Sequence, residues 1–439
     1  MRDFLPDDVR RREHVIGIIT RVYERYGFEP LETPAAENLE TLLGKYGDEE
    51  KLIFKILRRG EHEATGQADL ALRYDLTVPL ARVVAQYQAK LPRLFKRYQI
   101  QPVWRADRPG RGRFREFYQC DVDALGSTSP VVEAELCAAV ADAMTELGFS
   151  DFAIRLNHRQ LLTALLHAAG VAASLHAEAL VAIDKLDKIG AGGVARELEA
   201  RGLDAPSRAA MLSFVDVGTD PNVGPLSDTV RLEGLVGGDA AGTAAIANLR
   251  DILTLLGTTS AAGRVRIDPT LARGLSYYTG AIMEVNVADL AGSLGGGGRY
   301  DNLVGMFSGQ QIPACGFSLG LERILVVMAE RQMFPSSLAT SAADVMVATF
   351  DAAGVADGMR LAGQLRASGL RVLLYPDPDK IGKQIKYADG RGIPFVALLG
   401  DDEIKAGTVT VKDLAAQTQQ TWPQSEAGMR IREALTQRG

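Results

Sequence analysis

The sequence predicts an α+β domain built on an antiparallel sheet and interrupted by a helical insertion, followed by a smaller C-terminal α/β domain. Three observations carry this reading. From about Ile53 to Asp123, short β-like runs (LIFKIL, LALRYDL, FKRYQIQPVWR, REFYQCDVDAL) succeed one another across polar turns, which suits an antiparallel sheet better than βαβ units. From about Val171 to Leu256 alanine and leucine rise, aromatics nearly vanish and glycines cluster at Gly190–Gly193 and Gly237–Gly242, the pattern of an inserted helical module. Beyond a small, polar stretch around Phe334–Asp344, strand-like and helix-like segments alternate to the end, which predicts a mainly parallel sheet with helices on its faces. The expected boundaries are 1–330 for the first domain, with the insertion at 171–256, a linker at 331–343, and 344–439 for the second domain.

Each element has a local cause. Pro6-Asp7-Asp8 is a helix-start signal, and Val15, Ile18, Ile19, Val22 and Tyr26 follow at helical spacing before Gly27 stops the helix. FEPLETP, Phe28 to Pro34, reads as a short extended piece ended by proline. A second helix runs from about Val131 to Leu147 and closes at Gly148. The sheet pattern returns in VRIDP, in YYTGAIMEVNV and at the glycine run Gly295–Gly298, and GFSLGLERILVVM is a strand or turn feeding a helix. The last domain reads as strand VMVATF, a helix near Val355–Ser368, strand RVLLYP, a basic helix near Ile381–Arg391, strands FVALLG and TVTVKDL, and a terminal helix.

The bulk properties set limits. A chain of 439 residues is too long for one core and suits two or three domains. Hydrophobic residues at 46% and charged residues at 24% are ordinary for a soluble globular protein. No apolar run reaches the ~18 residues of a membrane span, and the charged N-terminus lacks the apolar core of a secretory signal. Cys120, Cys137 and Cys315 are too dispersed for a disulfide framework or zinc knuckle, so a reducing, cytoplasmic setting is expected. A net charge of −6 counts against a general nucleic-acid coat, yet leaves room for a local basic face.

The usual phosphate loops, G-x-x-x-x-G-K-[ST] and G-x-G-x-x-G, are absent, so a nucleotide would be held by side chains on a sheet. H-E-x-x-H is absent too, and the five histidines are scattered, so no metal site is expected. The informative stretch is Arg105–Asp123. Arg105, Arg108, Arg111, Arg113 and Arg115 follow Arg97, interleaved with Phe114, Phe117 and Tyr118, and Pro109, Gly110 and Gly112 mark a loop between two strands. Guanidinium groups bind phosphate oxygens bidentately, and an aromatic face stacks adenine. On spacing alone, a phosphate site and a basic surface hairpin fit equally well.

This stretch resembles motif 2 of the class II aminoacyl-tRNA synthetases. The resemblance implies that Arg105 holds the α-phosphate of ATP, Arg113 contacts the outer phosphates and Phe117 stacks adenine, with the Arg108–Gly112 loop reaching the tRNA acceptor end. GFSLGLERIL, Gly316 to Leu325, resembles motif 3, which places Arg323 along the ATP opposite the Phe117 ring. Glu32-Thr33-Pro34 fits motif 1, whose proline lies at the dimer interface in the family, so a homodimer is expected. The three motifs occur in the family's order, and their conjunction is far more specific than any one of them.

Two further segments resemble the histidine-activating branch of that family: RGLSYYTG at Arg273–Gly280, and SLGGGGRYDNL at Ser293–Leu303, which lines the same pocket in the family. LRYDLTVP, Leu72 to Pro79, resembles the family's segment that receives the substrate's α-amino group and places Asp75 and Thr77 there, in a strand. Gln119 and Asp123 share a strand face by period-two geometry. The resemblance gives Gln119 to the amino-acid site, Asp123 with Tyr277 or Tyr278 to the imidazole, and Arg273 to both the amino acid and the phosphates. Ser276 departs from the family, which usually has an acidic residue there. Arg105, Arg273 and Arg323 are the expected catalytic residues.

The last hundred residues resemble the anticodon-binding domain of several class II enzymes. Lys380, Lys383, Lys386 and Arg391 suit RNA phosphates, although a solvated helix face fits the same pattern. In the family, an insertion at 171–256 clamps the acceptor stem. The resemblance therefore implies a ligase that activates histidine with ATP and Mg²⁺ and charges a tRNA held at its acceptor end and anticodon, with no membrane partner. A histidine-binding regulator of the same fold is the main rival. It is disfavoured by the three arginines and by the C-terminal domain.

Overall fold

The computed structural model describes residues 1–437 apart from 61–64, 184, 221, 273–276, 336–337, 339–340 and 378, and without the side chains of 48, 187 and 188. The chain forms two compact units, Met1–Met333 and Phe334–Gly439. No described helix is long and apolar enough to cross a membrane.

The strands of the first unit are, in chain order, β1 (Glu29–Pro30), β2 (Ala36–Asn38), β3 (Lys55–Leu57), β4 (Ala68–Leu72), β5 (Phe95–Trp104), β6 (Glu116–Leu125), β7 (Ala153–His158), β8 (Val265–Ile267), β9 (Ala281–Asn286), β10 (Gly295–Arg299) and β11 (Ala314–Gly320). Eight of them make one sheet in the order β1-β5-β6-β11-β10-β9-β7-β8. The five inner pairings are antiparallel, and the outermost pair on each side, β1–β5 and β7–β8, is parallel. The antiparallel domain expected from the sequence is therefore present. β5 and β6 form a long hairpin in register from Phe95↔Leu125 to Trp104↔Glu116, and its connection, 105–115, is the arginine-rich loop.

Helix Pro6–Arg25 starts with proline in its first turn and acidic residues beside its N–H groups, both favourable there. It buries Val15, Ile18, Ile19, Val22 and Tyr23. Tyr26, expected on that apolar face, lies past the helix end and donates to Asp142 Oδ2 at 2.8 Å. The sheet's other side chains pack under helix Val131–Glu146, whose Leu136, Val140 and Met144 are fully buried.

The early runs differ from expectation. β2, β3 and β4, which include part of LIFKIL and LALRYDL, form a separate three-stranded sheet. LALRYDL leaves the strand at Leu72, and Thr77 begins helix Thr77–Tyr87, so Asp75 and Thr77 lie at a helix start and not in a strand. Two local groups enforce the turn. The buried Arg73 guanidinium is held by Thr33 O at 2.6 Å, Gln101 Oε1 at 2.9 Å and Pro102 O at 2.8 Å. Asp75 Oδ1 accepts the Val78 amide at 3.0 Å, which satisfies a first-turn N–H.

The inserted stretch is helical as expected, with helices His176–Ile183, Leu186–Ala200, Ala205–Val215, Pro225–Leu235 and Ala240–Leu256. The last packs on Arg159–Ala168 and Val131–Glu146. Gly242 allows that approach, because a Cβ there would stand 2.5 Å from Ala164 Cβ.

In the second unit β12 (Val345–Thr349), β13 (Val372–Leu374), β14 (Phe395–Leu399), β15 (Thr408–Asp413) and β16 (Thr418–Pro423) lie in the order β13-β12-β14-β15-β16. The mainly parallel sheet expected here is in fact mixed. β13–β12 and β12–β14 are parallel, whereas β14–β15 and β15–β16 are antiparallel. The six-residue helix Asp401–Ala406 is too short for a crossover, so β15 returns beside β14 in the opposite sense. β16, TQQTWP, is an exposed edge strand without alternating apolar residues, and for that reason it escapes sequence reading. β12 and β14 are buried throughout, as a strand covered on both faces must be. Helices Val355–Ala367 and Gln424–Thr436 cover one face and Ile381–Gly390 the other. On that basic helix Lys383 pairs with Asp379 at 2.8 Å, while Lys380, Lys386 and Arg391 are exposed.

Candidate active site

One cleft of ≈450 Å³ opens on the large sheet, floored by β6, β10 and β11. The pleat of β6 turns Gln119, Asp121 and Asp123 to the same face, all three buried and all lining the cleft. Their neighbours across β11 are Gly320, Ser318 and Gly316. A side chain at 316 is excluded, since a Cβ there would stand 1.9 Å from Asp123 Oδ1. β10 is equally constrained, for a Cβ on Gly297 would lie 2.1 Å from Gly316 O. The glycine run is thus a strand whose bareness gives the cleft its depth.

The interior is acidic and hydroxyl-rich. Asp75 Oδ1 accepts from Tyr46 at 2.9 Å and Oδ2 from Tyr277 at 3.1 Å. Asp123 Oδ1 accepts from the Tyr300 hydroxyl, and Oδ2 lies 2.8 Å from Arg97 Nη2. Arg97 is fully buried and also stands 4.0 Å from Asp121 Oδ2. Burial pushes the Asp121 carboxyl up to about 7, opposed by Arg97 and reinforced by Asp123. Burial likewise raises Asp75 and Asp123, against the Val78 amide for the first and Arg97 for the second. The Tyr277 phenol is raised well above its usual range by burial and then by Asp75. Thr77, at the helix start, lines the same region.

The other part of the cleft carries cations and an aromatic ring. Arg105 donates from Nε to Tyr74 O at 3.1 Å, and its guanidinium lies 4.2 Å from the Tyr74 ring centroid and 5.3 Å from that of Phe117. Arg113 is exposed at the tip of the loop, held by reciprocal backbone bonds with Gly110 at 2.9 and 3.0 Å. Arg323 reaches from helix Leu321–Glu330 to Gly112 O at 3.3 Å and to Ser293 O, tying the loop to the turn that leads into the glycine run. Next to it, Glu322 accepts from Arg12 at 2.6 Å and from the Tyr118 amide at 2.8 Å.

Asp75, Thr77, Arg105, Arg113, Phe117, Gln119, Asp123, Tyr277, Tyr278 and Arg323, singled out from the sequence, all line this cleft. Arg273 and Ser276 lie outside the described residues. Sequence reading missed Asp121, Tyr300 and Arg97. The alternation that placed Gln119 and Asp123 on one face places Asp121 there as well. Tyr300 lies in the glycine-run segment and Arg97 heads the arginine series, but their contacts with Asp123 join strands distant in sequence, so no local pattern gives either its role.

An antiparallel sheet that brings an acidic pocket and an arginine–phenylalanine rim into one cleft is the class II synthetase type of catalytic domain. Residues 1–324 match the family described as histidyl-tRNA synthetase, and residues 344–434 match the anticodon binding domain family. A protein named histidine–tRNA ligase from Gloeobacter violaceus is 44% identical over 98% of this chain and 97% of its own. One of the same name from Cytophaga hutchinsonii is 42% identical over 94% of each. The crystal structure of histidyl-tRNA synthetase from Nostoc sp. PCC 7120 superposes with a TM-score of 0.83 at 30% identity, covering 99% of this chain and 97% of that one. The chain belongs to the histidyl-tRNA synthetase family.

Proposed function

We propose that this protein is a histidine–tRNA ligase, which activates histidine with ATP and transfers it to the 3′-terminal adenosine of its tRNA. The observation that carries the reading is the pairing, in one cleft, of buried carboxylates and phenols with Arg105, Arg113, Phe117 and Arg323. The acidic end suits an ammonium and an imidazole. The basic end suits a triphosphate and a purine.

In the first step a carboxylate oxygen of histidine attacks the α-phosphorus of ATP. A phosphorus–oxygen bond forms as the bond to the bridging oxygen breaks, and pyrophosphate leaves. No protein nucleophile is needed, so catalysis is alignment plus neutralisation of charge on the five-coordinate phosphorus. Arg105 takes the α-phosphate together with Arg273, Arg113 and Arg323 take the outer phosphates, and Phe117 stacks adenine. Asp75, Thr77 and Gln119 receive the α-ammonium, with Asp123, Tyr277 and Tyr278 at the side chain. In the second step a ribose hydroxyl of the terminal adenosine attacks the adenylate carbonyl, and AMP leaves. ATP enters as its magnesium complex. Such a cation rides on the phosphates with few protein ligands.

The reading extends to a tRNA partner met at the acceptor end by the 105–115 loop and at the anticodon by the second unit, where exposed Lys380, Lys386 and Arg391 suit phosphates. It extends also to a cytoplasmic homodimer. Thr33 is buried against Arg73 while Pro34 stays exposed on the surface, the placement an interface proline needs. ATP–pyrophosphate exchange with each amino acid in turn tests the assignment. Histidine alone should support exchange. No exchange would leave a histidine-binding regulator, and exchange with threonine, proline or glycine would make it another synthetase.

A further inference from the structure

Beside the arginine-rich loop, rings and guanidinium groups alternate along a chain of five side chains. The Arg2 guanidinium lies 4.1 Å from the Phe114 ring centroid and 4.8 Å from that of Phe4. The Arg12 guanidinium lies 4.1 Å from the Phe4 centroid and 4.5 Å from that of Tyr118. The series starts on the loop at Phe114, passes through the segment before helix Pro6–Arg25 and through that helix, and returns to β6 at Tyr118. Its inner end is anchored. Arg12 is buried and donates to Glu322 Oε1 at 2.6 Å, while Glu322 Oε2 accepts the Tyr118 amide at 2.8 Å. β11 ends opposite Gln119, so Glu322 holds β6 where pairing with β11 stops. The outer end is open to water, with Arg2 exposed and Phe4 and Phe114 half-buried.

A guanidinium is weakly hydrated and is attracted to aromatic rings, so such a series links chain segments without burying a bare charge. Of the five residues only Phe114 lines the cleft. The other four therefore reach a ligand there only through Phe114 and through the backbone they fix. That backbone matters, because Phe114 follows Arg113 and Tyr118 follows Phe117, the two loop residues assigned to ATP. We propose that Phe4 is a positioning residue for ATP, joined by Arg2 to the loop at Phe114 and seated on the buried Arg12. The segment before the first helix thus braces the returning arm of the 105–115 loop, and with it the places of Arg113 and Phe117. This inference rests on the reading that ATP occupies the arginine–phenylalanine end of the cleft. A loop that spends part of its time elsewhere loses apparent affinity in that proportion. The brace should therefore be felt in ATP binding and not in histidine binding.

The full-length Phe4→Leu variant keeps apolar bulk and removes the ring that both cations meet. Its ATP KM in ATP–pyrophosphate exchange at saturating histidine should rise about three- to tenfold, the loss of one or two cation–ring contacts. The histidine KM should stay within about twofold, and Tm within about 4 °C of the wild type. Phe4→Tyr keeps the ring and should return the ATP KM to the wild-type value. Arg2→Gln, at an exposed site, should raise it only about twofold. Amide deuteration of the 106–118 segment should quicken in Phe4→Leu while β7 and β9 keep their wild-type rates. An unchanged ATP KM in Phe4→Leu overturns the inference. So does a rise matched by the histidine KM, or one that tyrosine does not reverse, since the segment would then be general packing. Wild-type enzyme without histidine-dependent exchange refutes the ligase reading instead. The deuteration rates then decide the brace alone, and unchanged rates at 106–118 overturn it.

Discussion

Replacing Gly316 with alanine places a methyl group where no space exists. The new Cβ would stand 1.9 Å from Asp123 Oδ1, 2.6 Å from its Cγ and 3.1 Å from Val122 O. Carbon contacts settle near 3.5 Å, so the carboxylate must retreat by on the order of 1.5 Å. That movement takes Oδ1 from Tyr300 and Oδ2 from its 2.8 Å contact with Arg97. Arg97 is fully buried and cannot turn to water instead. Separating a buried pair costs about 3 kcal/mol at the lower end of the measured range. The same displacement disturbs the end of the cleft assigned to histidine, so a comparable amount should appear in histidine binding, on the order of 100-fold in KM. Pyrophosphate exchange at saturating ATP reads the KM, and a thermal melt should show Tm lower by roughly 5–10 °C. The ATP KM should change less than about threefold, because the arginine rim is untouched. Gly296→Ala is the stability control. Its Cβ would meet nothing closer than Met283 O at 3.2 Å, and Tm should stay within a few degrees. Wild-type histidine KM and Tm in Gly316→Ala would refute the claim that Asp123 is fixed by its surroundings.

Three other perturbations probe different parts of the molecule. Arg105→Lys keeps a charge but loses the planar fork that lies against Tyr74, so single-turnover adenylate formation should slow by about 100-fold with histidine Kd unchanged. Arg111 pins the 105–115 loop through Glu330 and, at 2.9 Å, through Asp289 O. Both partners of the ion pair are about half exposed, so Arg111→Ala should raise the ATP KM only about threefold at low salt, and not at all in 0.5 M KCl, measured by the same exchange assay. His158 accepts the Gln160 amide at 3.2 Å, and burial, aided by Arg299, lowers its pKa from 6.5 to about 4. The unfolded chain therefore binds this proton first. The stability from neutral His158 is complete above pH 6.5 and is lost as pH falls toward 4, about 3 kcal/mol over that window. His158→Asn keeps an oxygen to cap the helix, and urea unfolding at pH 4.5 and 7.5 should show a correspondingly smaller drop than in wild type.

Much of the site was legible because it is local. The period-two pleat of REFYQCDVDAL, the Pro-Gly loop before it and the glycine run at 295–298 are short-range patterns, and each sits in the cleft at the place its residues imply. Where local patterns misled, a distant partner decided. LRYDLTVP alternates like a strand, but Arg73 is bound by carbonyls from 33 and 102 and Asp75 caps a helix, so the segment turns. TVTVKDL looks like one more strand of a parallel sheet, but the connection before it is too short to cross over.

Gly316 and Asp123 show the division most clearly. The sequence by itself determined that a strand carrying Asp123 would be present, with Gln119 and Asp123 turned to one face, and that Gly316 would open a strand or turn feeding a helix. Only the tertiary structure decided that these strands lie side by side, with Arg97 from a third strand under the carboxylate. The reason is physical. Alternation within a strand is fixed by backbone geometry over a few residues, whereas the neighbour across the sheet is set by the packing of the whole domain. The cation that pairs with Asp123 is thus written nowhere near it in the chain.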